Sequence, residues 1–200
     1  MTTTPLVDGF SEFNLVKAEL GRVLDLAARL PASPFRKKAG FFFCEFEVFR
    51  NGDFGRALEL LALGNGDEYV SGAAVVPDIE SYYLPEYGSF ASFRFPGETA
   101  VARYPEALAY EPEGDDTAAL LYSADILAVA GSSGRWSAWG ERELGVAIIH
   151  VDGSDPGWQP AGMHFGSSAD DALYTFVEPS FSSGSIPRRF RKEFLANFAA

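Results

Sequence analysis

The sequence predicts an α+β domain: one antiparallel sheet built from two β-meanders, flanked by an N-terminal and a C-terminal amphipathic helix. Three observations carry this. Both ends of the chain show apolar residues at helical spacing, the middle alternates or runs apolar over short stretches, and Gly- or Asn-Gly turns punctuate those stretches. No linker divides the 200 residues, so the whole chain, 1–200, is expected to be one globular domain.

Taken in order, Phe10, Phe13, Val16, Leu20, Val23, Leu24, Ala27 and Leu30 step by threes and fours and predict a helix over 10–30. Asp8 or Ser11 would cap its start and Pro31 would end it. From Gly40 the period changes. Phe42, Cys44, Phe46 and Val48 alternate with their neighbours and predict a strand. Asn51-Gly52 and Asn65-Gly66 then bracket a segment, 56–63, whose residues individually favour helix. Asn-Gly is a strong hairpin signal and propensity a weak prior, so the expectation is a strand, making 41–76 a three-stranded meander. A short helical turn within Asp78–Tyr87, a strand over Phe90–Phe95 and a paired strand over Thr99–Tyr104 follow. Residues 117–122 read equally as strand or helix.

The second meander is clearer. Asp125–Ala130, Arg135–Trp139 and Gly145–Val151 are apolar segments separated by Gly131–Gly134 and by the turn after Gly140. Alternation puts Trp136 and Ala138 on one face and Arg135, Ser137 and Trp139 on the other. Asp170–Val177 reads as a short helix. Beyond Pro187, Phe190, Phe194, Leu195 and Phe198 line one face of a helix whose other face is basic.

Charge is distributed unevenly. Residues 57–187 hold 20 Asp and Glu against four Arg, while the flanks are mildly basic, and the chain as a whole carries −12. A middle of that sign repels phosphate and anionic lipid and attracts basic partners. Nucleic acid is therefore not an expected partner, and no apolar run approaches the ~20 residues of a membrane span. The N-terminus lacks the basic and apolar regions of a secretory signal, so a soluble, cytoplasmic protein is expected. The single cysteine, Cys44, sits in the run Phe41-Phe-Phe-Cys44 and reads as a small core hydrophobe. Most of the 18 Phe are expected in the core as well.

Motifs for chemistry are sparse. Neither a phosphate-binding glycine loop nor a nucleophile elbow is present, and no cofactor is expected. His150 and Asp152 are two apart, hence on one face of a strand, and with His164 could form a two-histidine, one-carboxylate metal triad or serve a hydrolase. The overlapping Asp152-Gly153 turn favours the plainer reading, in which no metal is bound. The function expected is a non-enzymatic acidic binding protein that engages a basic protein partner. Bacterial immunity proteins, which neutralise basic toxin domains, resemble it in size and charge alone. An assembly subunit (a homo-oligomer) and an enzyme working through His150, Asp152 and His164 are the alternatives. The binding residues expected are Glu111, Glu113, Asp115 and Asp116 as the charged rim, with Tyr83, Tyr87 and Trp139 as aromatic anchors. Tyr82, Trp136 and Trp158 are further aromatics near carboxylates.

Overall fold

The computed structural model describes residues 4–38, 40–78, 80, 83–153 and 156–199. Its elements in chain order are α1 (Phe10–Val23), β1 (Phe41–Glu45), α2 (Phe46–Phe49), α3 (Phe54–Asn65), β2 (Tyr69–Val76), α4 (Leu84–Tyr87), β3 (Ser92–Pro96) and α5 (Ala100–Ala109). The remainder are α6 (Leu120–Ser123), β4 (Ile126–Gly131), β5 (Trp136–Glu141), β6 (Val146–Val151), α7 (Ala169–Ala172) and α8 (Arg188–Phe198). The six strands form one antiparallel sheet in the order β1-β6-β5-β4-β2-β3. The fold is α+β, with the expected helices at both ends.

Helices cover both faces of the sheet. On one, α3 and α5 pack Phe54, Leu58, Leu61 and Tyr104 over Val129, Trp136, Ala138 and Ile149. On the other, α1, α7 and α8 pack Phe13, Val16, Leu20, Phe194 and Phe198 over Ala128, Trp139, Val146 and Ile148. Trp136 and Trp139 thus face opposite layers, as alternation along β5 requires. β4, β5 and β6 are buried along their whole length, which explains why their sequences run nearly continuously apolar.

The first meander is corrected. Residues 54–65 are helix, and β1 and β2 are separated in the sheet by β6, β5 and β4. The two Asn-Gly pairs punctuate that helix and close no hairpin. Asn51 Oδ1 accepts the Asp53 N–H at 3.0 Å, a side-chain turn just before the helix start. At the other end Gly66 adopts φ 68°, and the Asp67 N–H bonds the Ala62 carbonyl at 2.9 Å, closing the last turn. A left-handed residue there suits glycine, which has no Cβ to clash.

Thr99–Tyr104 is likewise no strand. Gly97–Thr99 makes a 3₁₀ turn into α5, whose buried Ala100, Tyr104, Ala107 and Leu108 follow the helical period. α1 ends at Val23, with Leu24 already extended and bridged to Phe35, seven residues before the expected stop at Pro31. Gly9 occupies its N-cap, and neither Asp8 nor Ser11 caps by side chain. The ambiguous 117–122 resolves as a 3₁₀ turn, Asp116–Ala118, followed by α6. No helix among the described residues is long and apolar enough to cross a membrane.

Candidate partner-binding surface

The acidic loop between α5 and α6 is held by its own side chains. Pro112–Gly114 forms a 3₁₀ turn in which Glu113 has φ 53° and Gly114 φ 81°. A left-handed glutamate is uncommon and costs conformational energy, so the turn persists only because its surroundings fix it. Asp115 does the fixing. Its Oδ1 accepts the Thr117 N–H at 3.0 Å and the Thr117 hydroxyl at 2.7 Å, and its Oδ2 accepts the Tyr87 hydroxyl at 2.9 Å. These bonds favour the ionised form, so the Thr117 hydroxyl first and Tyr87 second hold the Asp115 carboxyl below its usual range.

α4 supplies the brace from the other side. Tyr83 donates its hydroxyl to the Ala118 carbonyl at 2.7 Å, and its ring lies 4.9 Å from that of Tyr87. The loop is therefore pinned at Asp115 and at Ala118 by two stacked tyrosines. Glu111, Glu113 and Asp116 point to solvent, as does Glu86 on α4. Among the described residues none of these five carboxylates, Asp115 included, forms an ion pair. Elsewhere many acids are neutralised: Glu47 by Arg50, Glu59 by Arg56, Glu106 by Arg103 and Asp170 by Arg191.

Six of the seven residues expected to bind a partner gather here. They do not share one role. Glu111, Glu113, Asp115 and Asp116 form the outer surface, Tyr87 is half-buried among them, and Tyr83 is fully buried beneath. Trp139 is elsewhere. It has no exposed surface, lies under the α1 and α8 layer across the sheet, and donates its indole N–H to Glu141 at 2.9 Å. Tyr83 and Trp139 are thus core residues and cannot touch a partner, which corrects their reading as anchors. Trp136 and Trp158 are also buried, and Tyr82 lies outside the described residues.

The residue that the sequence did not single out is Tyr122. It stands on α6 with 57% of its surface exposed, six positions beyond Asp116. With Glu47, Arg50, Asn51, Gly52 and Leu121 it lines a hollow of about 350 Å³. Arg50 is held there by Glu47 at 2.5 Å and by the Leu121 carbonyl at 2.6 Å. The available signal was amphipathic: Leu120 and Tyr122 differ in burial, as neighbours on a short helix at a surface do.

The alternative histidine site is not assembled. His150 pairs in the sheet with Phe41 and Ser137 and is buried; its Nε2 lies 3.5 Å from Asp152 Oδ1. Burial lowers the imidazole pKa, Asp152 opposes this, and Lys37, 3.3 Å from Asp152, adds to it. The net direction is down, leaving His150 neutral at pH 7. His164 is exposed on a separate loop, and no group of three metal-ligating side chains occurs among the described residues. Cys44 is buried, and burial drives its thiol pKa far above the usual value, so a thiolate nucleophile is not available. Comparison with protein-family models, curated proteins and solved structures finds no match to the chain.

Proposed function

We propose that this protein is a non-enzymatic binding protein that engages a basic protein partner through the acidic loop and the aromatic surface beside it, in the manner of an immunity protein. One observation carries the reading. Glu111, Glu113, Asp115 and Asp116 stand unpaired on a loop immobilised by Asp115, Tyr87 and Tyr83. A loop already ordered loses little freedom on binding, which is where much of the cost of association lies. Unpaired carboxylates steer a cationic surface into encounter, and Tyr122 offers the apolar contact that charge alone does not supply.

The partner's chemistry follows. It presents Lys or Arg to the loop and an apolar or cationic contact to Tyr122. The cytoplasm is the compartment proposed for the meeting.

The test uses the full chain and a partner captured on it. Replacing Glu111→Gln, Glu113→Gln, Asp115→Asn and Asp116→Asn together keeps acceptor atoms while removing charge. Association of the wild type should slow as salt rises, because the Debye length falls to ~8 Å at physiological ionic strength. The quadruple variant should associate more slowly, with a flatter salt dependence and an unchanged far-ultraviolet spectrum. A captured partner that is acidic or neutral, or association indifferent to salt, would sink the proposal.

A further inference from the structure

A second carboxylate site lies across the sheet from the acidic loop. Val76, Ile126 and Glu141 are successive cross-strand neighbours on β2, β4 and β5, at one end of the sheet. They open onto a cavity of about 620 Å³ whose other walls include Leu30, Leu144, Phe181 and Phe190. That volume is within the roughly 300–1,000 Å³ of small-molecule sites. The Phe181 and Phe190 rings stand edge to face at 5.5 Å, giving an aromatic wall.

Glu141 is 6% exposed, so its charge is almost wholly withdrawn from water. Its Oε1 accepts both the Leu30 N–H and the Trp139 indole N–H, each at 2.9 Å. Those two bonds lock the side chain. Oε2 makes no hydrogen bond among the described residues, though a carboxylate has about four acceptor sites to fill. A clamp on Leu30 and Trp139 accounts for one oxygen and leaves the other without a protein partner.

The remaining charges of the cavity decide the sign of the ligand. Arg29, Arg142, Asp125 and Glu143 line it with Glu141, three carboxylates against two guanidinium groups. Both guanidinium groups are occupied. Arg142 donates from Nε and Nη2 to the Ala124 carbonyl, at 3.1 and 2.8 Å, and from Nη2 to the Leu121 carbonyl at 3.2 Å. Arg29 donates from Nη1 to Leu26 and Ala28 carbonyls at 3.0 and 2.6 Å. An anion would meet spent donors and surplus negative charge. A cation would meet a free carboxylate oxygen and an apolar wall.

We propose that this cavity binds a small primary amine with an aromatic or branched aliphatic body, its ammonium on Glu141 Oε2 and its body against Phe181 and Phe190. Binding is linked to protons. Burial, reinforced by Glu143, pushes the Glu141 carboxyl up, against the Leu30 and Trp139 hydrogen bonds and Arg29. An arriving ammonium favours the ionised form, so affinity rises with pH through that elevated value.

Nuclear magnetic resonance titration of the full chain tests this with benzylamine, benzyl alcohol and benzoate as probes. Benzylamine should saturate, shift the Leu30 amide and Trp139 indole resonances, and bind at least about tenfold more tightly than the other two. Its affinity should rise with pH across the carboxyl range. Glu141→Gln should weaken benzylamine about tenfold or more and leave benzyl alcohol unchanged. Should that variant fail to fold, the wild-type pH dependence decides alone. Equal binding of the three probes, a pH-independent benzylamine affinity, or shifts mapping to another surface would overturn the assignment.

Discussion

Asp115 and Glu141 are carboxylates in one chain that titrate in opposite directions. Asp115 lies at the surface, where hydrogen bonds from Thr117 and Tyr87 hold it ionised. Glu141 also accepts two hydrogen bonds, from Leu30 and Trp139, yet its pKa is raised. Burial makes the difference. Desolvation penalises the charged form more than two neutral donors favour it, whereas in contact with water the same donors have no such penalty to offset. The acidity of this protein is therefore of two kinds. The loop carries charge ready to be screened or paired; the cavity holds a carboxylate whose charge depends on what arrives.

The largest perturbation should come from the scaffold of the cavity side. Phe194 is fully buried in α8, its ring 4.8 Å from Phe198 and 6.1 Å from Phe190, the residue that walls the cavity. Phe194→Ala should destabilise the fold by about 3–5 kcal/mol, read as a lower denaturant midpoint at unchanged slope. The loop side has no equivalent residue at its surface. If the midpoint stays where it is, α8 does not dock through Phe194, and the contrast between a packed cavity and a hydrogen-bonded loop collapses.

Much of this scaffold was legible in the sequence, and the failures share a cause. The β4–β5–β6 meander and the helix beyond Pro187 were readable because period and turns agree there. At 56–63 they disagree. Asn51-Gly52 and Asn65-Gly66 suggest hairpins, while Ala57, Leu58, Leu61 and Ala62 follow a helical face that burial rewards. The same turn chemistry serves hairpins and helix ends, so it could not arbitrate alone. Of the site, the carboxylates of 111–116 were visible as charge. Burial of Tyr83 and Trp139 was not, because an aromatic beside an acid looks alike whether its ring points out or in. Glu141 was one of several paired acids, and only the strand parity of Trp139 and Glu141 hinted that both face the core.

The opposition of the two carboxylates is itself testable through pH. For Asp115 the folded pKa lies below its unfolded value, so its contribution to stability is present above that value and is lost as pH falls through the folded one. For Glu141 the folded pKa lies above its unfolded value. Its contribution is therefore complete below the unfolded value and is lost as pH rises through the folded one. Chemical denaturation from about pH 3 to pH 7 spans both ordinary carboxylate values. The stability difference between wild type and Asp115→Asn should grow with pH, and that between wild type and Glu141→Gln should shrink. Two slopes of the same sign would mean that burial does not dominate at Glu141.

Tyr122 sharpens the comparison from the loop side, with the smallest expected change in stability. Its neighbour Leu120 is buried and carries the packing of α6, while Tyr122 keeps 57% of its surface in solvent. Tyr122→Ala should accordingly leave stability within about ±0.5 kcal/mol, the usual range for surface substitutions. The consequence should appear only in the complex. An aromatic anchor desolvated at an interface costs about 2 kcal/mol or more on truncation, which corresponds to dissociation roughly thirtyfold faster. Association should be unaffected, since no charge is removed and steering is electrostatic. The quadruple carboxylate variant should show the converse: slower association with a smaller change in dissociation. Stopped-flow or surface-capture kinetics separates the two. If Tyr122→Ala leaves dissociation unchanged, the apolar contact lies elsewhere, and the loop acts by charge without the aromatic beside it.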